Sequence, residues 1–179
     1  NGSLFEDFEL SAAYMFGADI IPLRASSNKL TCEKGVIECK KTAQESAGIA
    51  LLWPVEGFGE IMLPTTRLPE RNRPYILNLE LARAMLMQIT IKREDWSIFE
   101  DTKNLSGLAQ EVQELYIDAV NNVQDPSKSS LIADKCMQKA MVLSEKIAEK
   151  HADAFLMLRK KVRSLGRHSL GCVVDVELI

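Results

Sequence analysis

The chain has 179 residues, 46% of them apolar and 26% charged, with 22 Lys+Arg against 25 Asp+Glu and a formal net charge of -3. Those proportions are ordinary for a globular protein and exclude wholesale disorder or a collagen-like repeat. No stretch approaches the roughly 18 consecutive apolar residues of a membrane span, and Asn1-Gly2-Ser3-Leu4-Phe5-Glu6-Asp7 is not a basic-then-apolar leader. The acid excess argues against a nucleic-acid partner held by phosphate contacts. A soluble chain with neither membrane nor nucleic acid as partner is expected; its compartment stays open.

Turn-forming residues are unevenly spread. Pro22, Pro54, Pro64, Pro69 and Pro74, with Gly2, Gly17, Gly35, Gly48, Gly57 and Gly59, all precede residue 75, whereas only Pro126, Gly107, Gly166 and Gly171 follow it. Glycine and proline punctuate short elements, so the pattern predicts an α+β chain with strands first and long helices after. Strands are expected over Phe8 to Met15 and Ile20 to Leu23. A hairpin should follow, Leu30 to Glu33 and Val36 to Lys40 around Lys34-Gly35, placing Cys32 opposite Ile37. The apolar run Gly48 to Trp53, ended by Pro54, suits a strand covered on both faces, and Gly59 to Leu63 pairs with it across the turn at Glu56-Gly57-Phe58. Five or six short strands over residues 1–63 suggest a small antiparallel β-sandwich, jelly-roll-like in character.

Residues 64–74 hold Pro64, Pro69 and Pro74, which forbid a helix interior. The stretch reads first as a solvated linker; its arginines, Arg67, Arg71 and Arg73, make an arginine strap against an acidic surface or a ligand the alternative. Residues 75–168 read as three helices. Leu79, Ala82, Leu86, Ile89 and Trp96 make one face of the first, and Leu108, Val112, Leu115 and Ala119 of the second, with Tyr116, Val120 and Val123 widening that stripe. The third opens at Asp125-Pro126, a capping residue before a first-turn proline, and runs through Ile132, Cys136, Ala140, Leu143 and Ile147 towards Phe155, Leu158 and Val162. At 1.5 Å per residue it would be about 50 Å long, more than a small domain needs, so a kink or an extra packing partner is expected. Residues 169–179 turn to a strand-like apolar run, Leu170-Gly171-Cys172-Val173-Val174, read as the start of a missing downstream domain.

Chemistry is sparse. Cys32, Cys39, Cys136 and Cys172 have no C-x-x-C spacing and no histidine nearby, so no metal is expected and the thiols read as unpaired and mostly buried, a weak sign of the cytoplasm. Glu94-Asp95 and Glu100-Asp101 are adjacent pairs that point in different directions on a helix, better as surface and capping charges than as an acid/base pair. No phosphate-binding glycine loop, nucleophile elbow or H-E-x-x-H occurs, and no cofactor is implied. Aromatic platforms for sugar stacking could come from Tyr14 or Phe16, before the turn at Gly17; Trp53, within Ala50-Leu51-Leu52-Trp53-Pro54-Val55, reads as core before platform. The basic run Arg159 to Arg167 complements a helix C-terminus without nucleic acid.

Taken together, Glu60-Ile61-Met62-Leu63-Pro64-Thr65-Thr66-Arg67-Leu68-Pro69-Glu70-Arg71, then Leu79-Glu80-Leu81-Ala82-Arg83-Ala84-Met85-Leu86-Met87-Gln88-Ile89 and Lys92-Arg93-Glu94-Asp95-Trp96, resemble the N-terminal accessory region of bacterial family-10 glycoside hydrolase-like proteins of the endo-1,4-β-xylanase type. Leu170-Gly171-Cys172-Val173-Val174-Asp175 looks like the lead into the first strand of their (β/α)8 barrel. The resemblance implies a retaining glycosidase whose two catalytic carboxylates, roughly 5–5.5 Å apart, lie on later barrel strands, so no residue here inherits a catalytic role. It implies a non-catalytic module with two partners, a polysaccharide or oligosaccharide and the chain's own downstream catalytic barrel. Tyr14, Trp53, Arg67, Arg71 and Tyr75 are the candidate carbohydrate-binding residues. A purely structural or protein-interaction domain without a sugar ligand is the alternative, and burial of Tyr14, Trp53 and Tyr75 would favour it.

Overall fold

The computed structural model describes residues 8–162, apart from 11, 19, 26, 43 and 96–104. These described residues form an α+β arrangement of five strands and three helices: β1 (Tyr14–Phe16), β2 (Lys29–Glu33), β3 (Val36–Lys40), β4 (Gly48–Val55), β5 (Gly59–Pro64), α1 (Leu77–Asp95), α2 (Ser106–Asn121) and α3 (Pro126–Val162). The strands make two small antiparallel sheets, one in the order β1-β4-β5 and one of β2 with β3. The expected strand at 169–179 and the stripe residue Trp96 lie outside the described residues.

The β2–β3 hairpin follows its turn chemistry. Lys34 and Gly35 both take positive φ, 50° and 74°, the backbone of a two-residue type I′ turn, which sets Cys32 opposite Ile37. That register puts Leu30, Cys32, Ile37 and Cys39 on one face, and Leu30 and Ile37 pack against the main core.

β4 is the centre of the larger sheet. Ile49, Ala50, Leu51, Trp53 and Val55 are all buried, consistent with a strand covered on both sides. The strand does not stop at Pro54, as the proline suggested, but pairs onward to Val55 opposite Gly59. The reason is the short β1, which pairs only with Gly48–Ala50. Beyond that point one edge of β4 has no paired strand among the described residues, and a proline without an N–H is tolerated there. The Phe8 to Met15 strand is likewise reduced to β1, and Ile20 to Leu23 to a single bridge between Phe16 and Pro22. Ile20 sits at φ 58°, so the chain turns there instead of extending.

Gly48 has a specific steric role. A Cβ added to it would lie 2.2–2.8 Å from three atoms of the Phe16 ring, directly across the ladder. Gly48→Ala is therefore expected to cost about 1–3 kcal/mol by expelling that buried ring. Urea denaturation checks this, and a further Phe16→Val change should recover part of the loss.

Residues 64–74 do not form a free linker. Thr65 is buried and clasps Ile49 twice, its N–H donating to the Ile49 carbonyl (2.8 Å) and its Oγ1 accepting from the Ile49 N–H (3.1 Å). Leu68 then donates to Ala47 (2.9 Å), and Lys41 holds Glu70 at 2.8 Å. The strap thus continues along β4 before delivering the chain to α1.

The helices pack through small and aliphatic residues. α1 buries Leu79, Leu81, Ala82, Ala84, Met85 and Ile89, a wide surface because it meets α2, α3 and β5. Between α2 and α3, Ala109, Val112 and Ala119 face an α3 stripe of Ala133, Cys136, Ala140 and Leu143, all buried. The Cys136 thiol donates to the Val112 carbonyl (3.4 Å), and Ser129 Oγ to the Ala119 carbonyl (2.8 Å). Val120 and Val123, expected to widen the α2 stripe, are exposed. Asp125 caps α3 through Oδ1, which accepts from the Lys128 N–H, with Pro126 in the first turn. Buried side chains of sheet and helices belong to one cluster, from Met15 through Leu51 and Leu81 to Ile147.

α3 is continuous over 37 residues, about 55 Å. Its last described buried residue is Ile147; beyond it Phe155, Leu156, Met157 and Leu158 are 45–64% exposed. Phe155 and Leu158 thus leave the expected core stripe, because the helix outruns the other described elements. Among the described residues no helix is long and apolar enough to cross a membrane.

Candidate functional site

The five sequence-selected residues do not form one site. Tyr14 is half-buried on β1, edge-on to Phe16 with ring centroids 6.5 Å apart. Trp53 is 5% exposed, lies 5.5 Å from the Phe8 ring and hydrogen-bonds Asp134 on α3. It offers no free face for a sugar, which corrects its candidacy as a stacking platform. Arg67 is exposed on the strap. Only Arg71 and Tyr75 come together.

The Arg71 guanidinium sits over the Tyr75 ring, 3.4 Å from its centroid. Its Nε donates to the Arg73 carbonyl (2.9 Å) and Nη2 to the Pro74 carbonyl (3.0 Å), while Tyr75 Oη donates to the Pro69 carbonyl (2.7 Å). The proline-rich strap makes this local fold possible: extended residues before each proline leave carbonyls pointing outward, with no helix to absorb them.

Nearly two turns into α1 stands a second arginine. Arg83 Nε donates to Tyr116 Oη on α2 (2.8 Å), and Nη1 to Glu80 Oε2 (2.9 Å). Glu80 is 3% exposed. Burial pushes its carboxyl above the ordinary range, and the charges of Arg83 and Arg71 offset this only in part. Burial works against the Arg83 charge, but the Tyr116 hydrogen bond and Glu80 outweigh it, with Tyr75 contributing as well. Glu80 feels both guanidiniums and Arg83 feels both phenols, so the strap, α1 and α2 bring five polar side chains into one neighbourhood. Glu80, Arg83 and Tyr116 were not selected from the sequence. The i, i+3 spacing of Glu80 and Arg83 is a signal for that pair, whereas Tyr116 reads only as part of an apolar stripe.

No protein-family model, no curated protein and no solved structure matches this chain. Any function must therefore be argued from its own geometry. Two other places gather polar side chains. An open cleft of about 480 Å3 lies along α2, α3 and the β4–β5 turn, lined by Glu56, Glu111, Glu114, Asp118, Lys135 and Lys139. Glu111 and Lys139 already pair at 2.6 Å, which leaves a charged, solvent-filled groove. The second is Asp134, half-buried where the sheet meets α1 and α3, which accepts from Asn78 Nδ2 (2.7 Å) and from Trp53. Burial raises its carboxyl, the two hydrogen bonds opposing, and its partners make it a joint between layers.

The described thiols are unpaired. Cys136 is buried, and burial pushes it up to about 12, far from reactive. Cys39 is exposed and Cys32 half-exposed, so the hairpin thiols are less buried than expected. Cys172 lies outside the described residues.

Proposed function

We propose that this chain is the non-catalytic N-terminal module of a xylanase-like glycoside hydrolase, supporting a catalytic barrel and positioning polysaccharide. The observation that carries the supporting role is the far end of α3. Four consecutive residues, Phe155, Leu156, Met157 and Leu158, occupy all sides of the helix and are half-exposed or more. A helix apolar all round is normally buried, and an unpartnered apolar end marks a contact surface. With Arg159, Lys160 and Lys161 in the last turn, it suits an apolar groove with an acidic rim on the downstream domain. The hairpin laid against the core of the three-stranded sheet supports reading the β part as a reduced sandwich.

The positioning role is supported by the Arg71–Tyr75 and Arg83–Tyr116 pairs, not by stacking on Trp53. The protein-interaction reading without sugar draws on the same α3 end and on the burial of Trp53. Calorimetric titration with xylo-oligosaccharides separates them: heat saturating with the oligosaccharide is expected, and its absence, together with no retardation in xylan-containing gels, leaves only the docking role. The chain alone should release no reducing sugar from xylan; turnover would overthrow the assignment.

A further inference from the structure

The strap and the start of α1 present two arginines in an unusual state of preparation. Each guanidinium is already fixed by two hydrogen bonds, yet each keeps donors unspent. Arg83 uses Nε and Nη1, which leaves Nη2 open, and its side chain is 46% exposed. Arg71 uses Nε and Nη2, which leaves Nη1 open, and it is exposed with its face held by Tyr75. Two guanidiniums against the single carboxylate of Glu80 leave one net positive charge. Glu70, the other acid on the strap, is tied to Lys41, and Arg67 and Arg73 are further exposed cations of the strap.

We propose that Arg71 and Arg83 form a binding site for a sugar carboxylate, a hexuronate unit carried by an acidic polysaccharide. The inference rests on the polysaccharide-positioning part of the reading above and names the kind of glycan. A guanidinium fork matches a carboxylate in plane and in spacing, and an arginine already held in place loses less freedom on binding than a free one.

The test is calorimetry on the whole chain with a xylo-oligosaccharide bearing one uronate substituent and with the neutral oligosaccharide of equal length. Acetate, inorganic phosphate and poly-glutamate serve as competitors. The uronate ligand should bind at least about tenfold more tightly, a margin typical of a charge-assisted contact. Arg71→Ala and Arg83→Lys should each reduce it to the neutral level while leaving the thermal midpoint within a few degrees; the lysine keeps the charge but not the fork. Equal affinity for the two oligosaccharides overturns the inference and leaves the polysaccharide reading standing. Binding of neither overturns both. Displacement by poly-glutamate at the same concentration as by the uronate ligand makes the patch a general anion surface and overturns the sugar assignment.

Discussion

Replacing Trp53 by alanine is expected to destabilise the chain by about 3–5 kcal/mol, the usual cost of removing a large aromatic side chain from a core. The indole is 5% exposed among Phe8 and the residues of the sheet–helix core. It also supplies Asp134 with a hydrogen bond across to α3, so truncation opens a cavity and strips a half-buried carboxylate of one donor. Trp53→Phe should lose less, because it keeps most of the ring volume and forfeits only the N–H. A sugar-stacking tryptophan behaves in the opposite way, with binding lost and stability nearly unchanged. Urea denaturation of the two variants, read by circular dichroism, distinguishes these outcomes.

The second large effect is electrostatic and depends on pH. Arg83→Met removes the closest positive charge from Glu80, whose carboxyl is buried and already raised. A raised carboxyl stabilises the fold relatively more at low pH, where it is protonated, and less as pH climbs through its folded-state value. Without Arg83 that value rises further. At about pH 4, below the ordinary glutamate range of about 4.3, the variant and the parent should differ little through this effect. By about pH 7.5 the variant should be less stable by roughly 1–3 kcal/mol, the cost of leaving a buried polar group unpaired. Asp134 titrates in both chains, so its contribution cancels in the difference. A stability gap independent of pH would show that Arg83 acts by packing alone.

What was legible in the sequence followed from local rules. The Lys34-Gly35 turn fixed the hairpin register, Asp125-Pro126 marked the start of α3, and the apolar run of β4 announced its double coverage, each through backbone or burial chemistry confined to neighbouring residues. The division of the strands into two sheets was not legible, because it depends on which strand edges meet. The extent of β4 past Pro54 depends on the shortness of β1, a fact about another strand. The arginine cluster was half-legible. Arg71 and Tyr75 stand four residues apart on the strap, but Tyr116 reaches Arg83 from 33 residues away, across a helix pairing that no spacing encodes. The α3 stripe was read correctly as far as Ile147. Beyond that, periodicity described a face but could not say whether anything faced it.

The supporting role proposed for α3 is most directly tested by sedimentation velocity of this chain mixed with the catalytic barrel proposed as its partner. A 1:1 complex is expected with the wild-type chain, lost when Leu156→Glu and Met157→Glu are introduced together, since both residues are exposed and their replacement leaves the bundle intact. If that barrel sediments independently of the wild-type chain at concentrations well above those of a stable interface, the account of this chain as a barrel-supporting module is wrong.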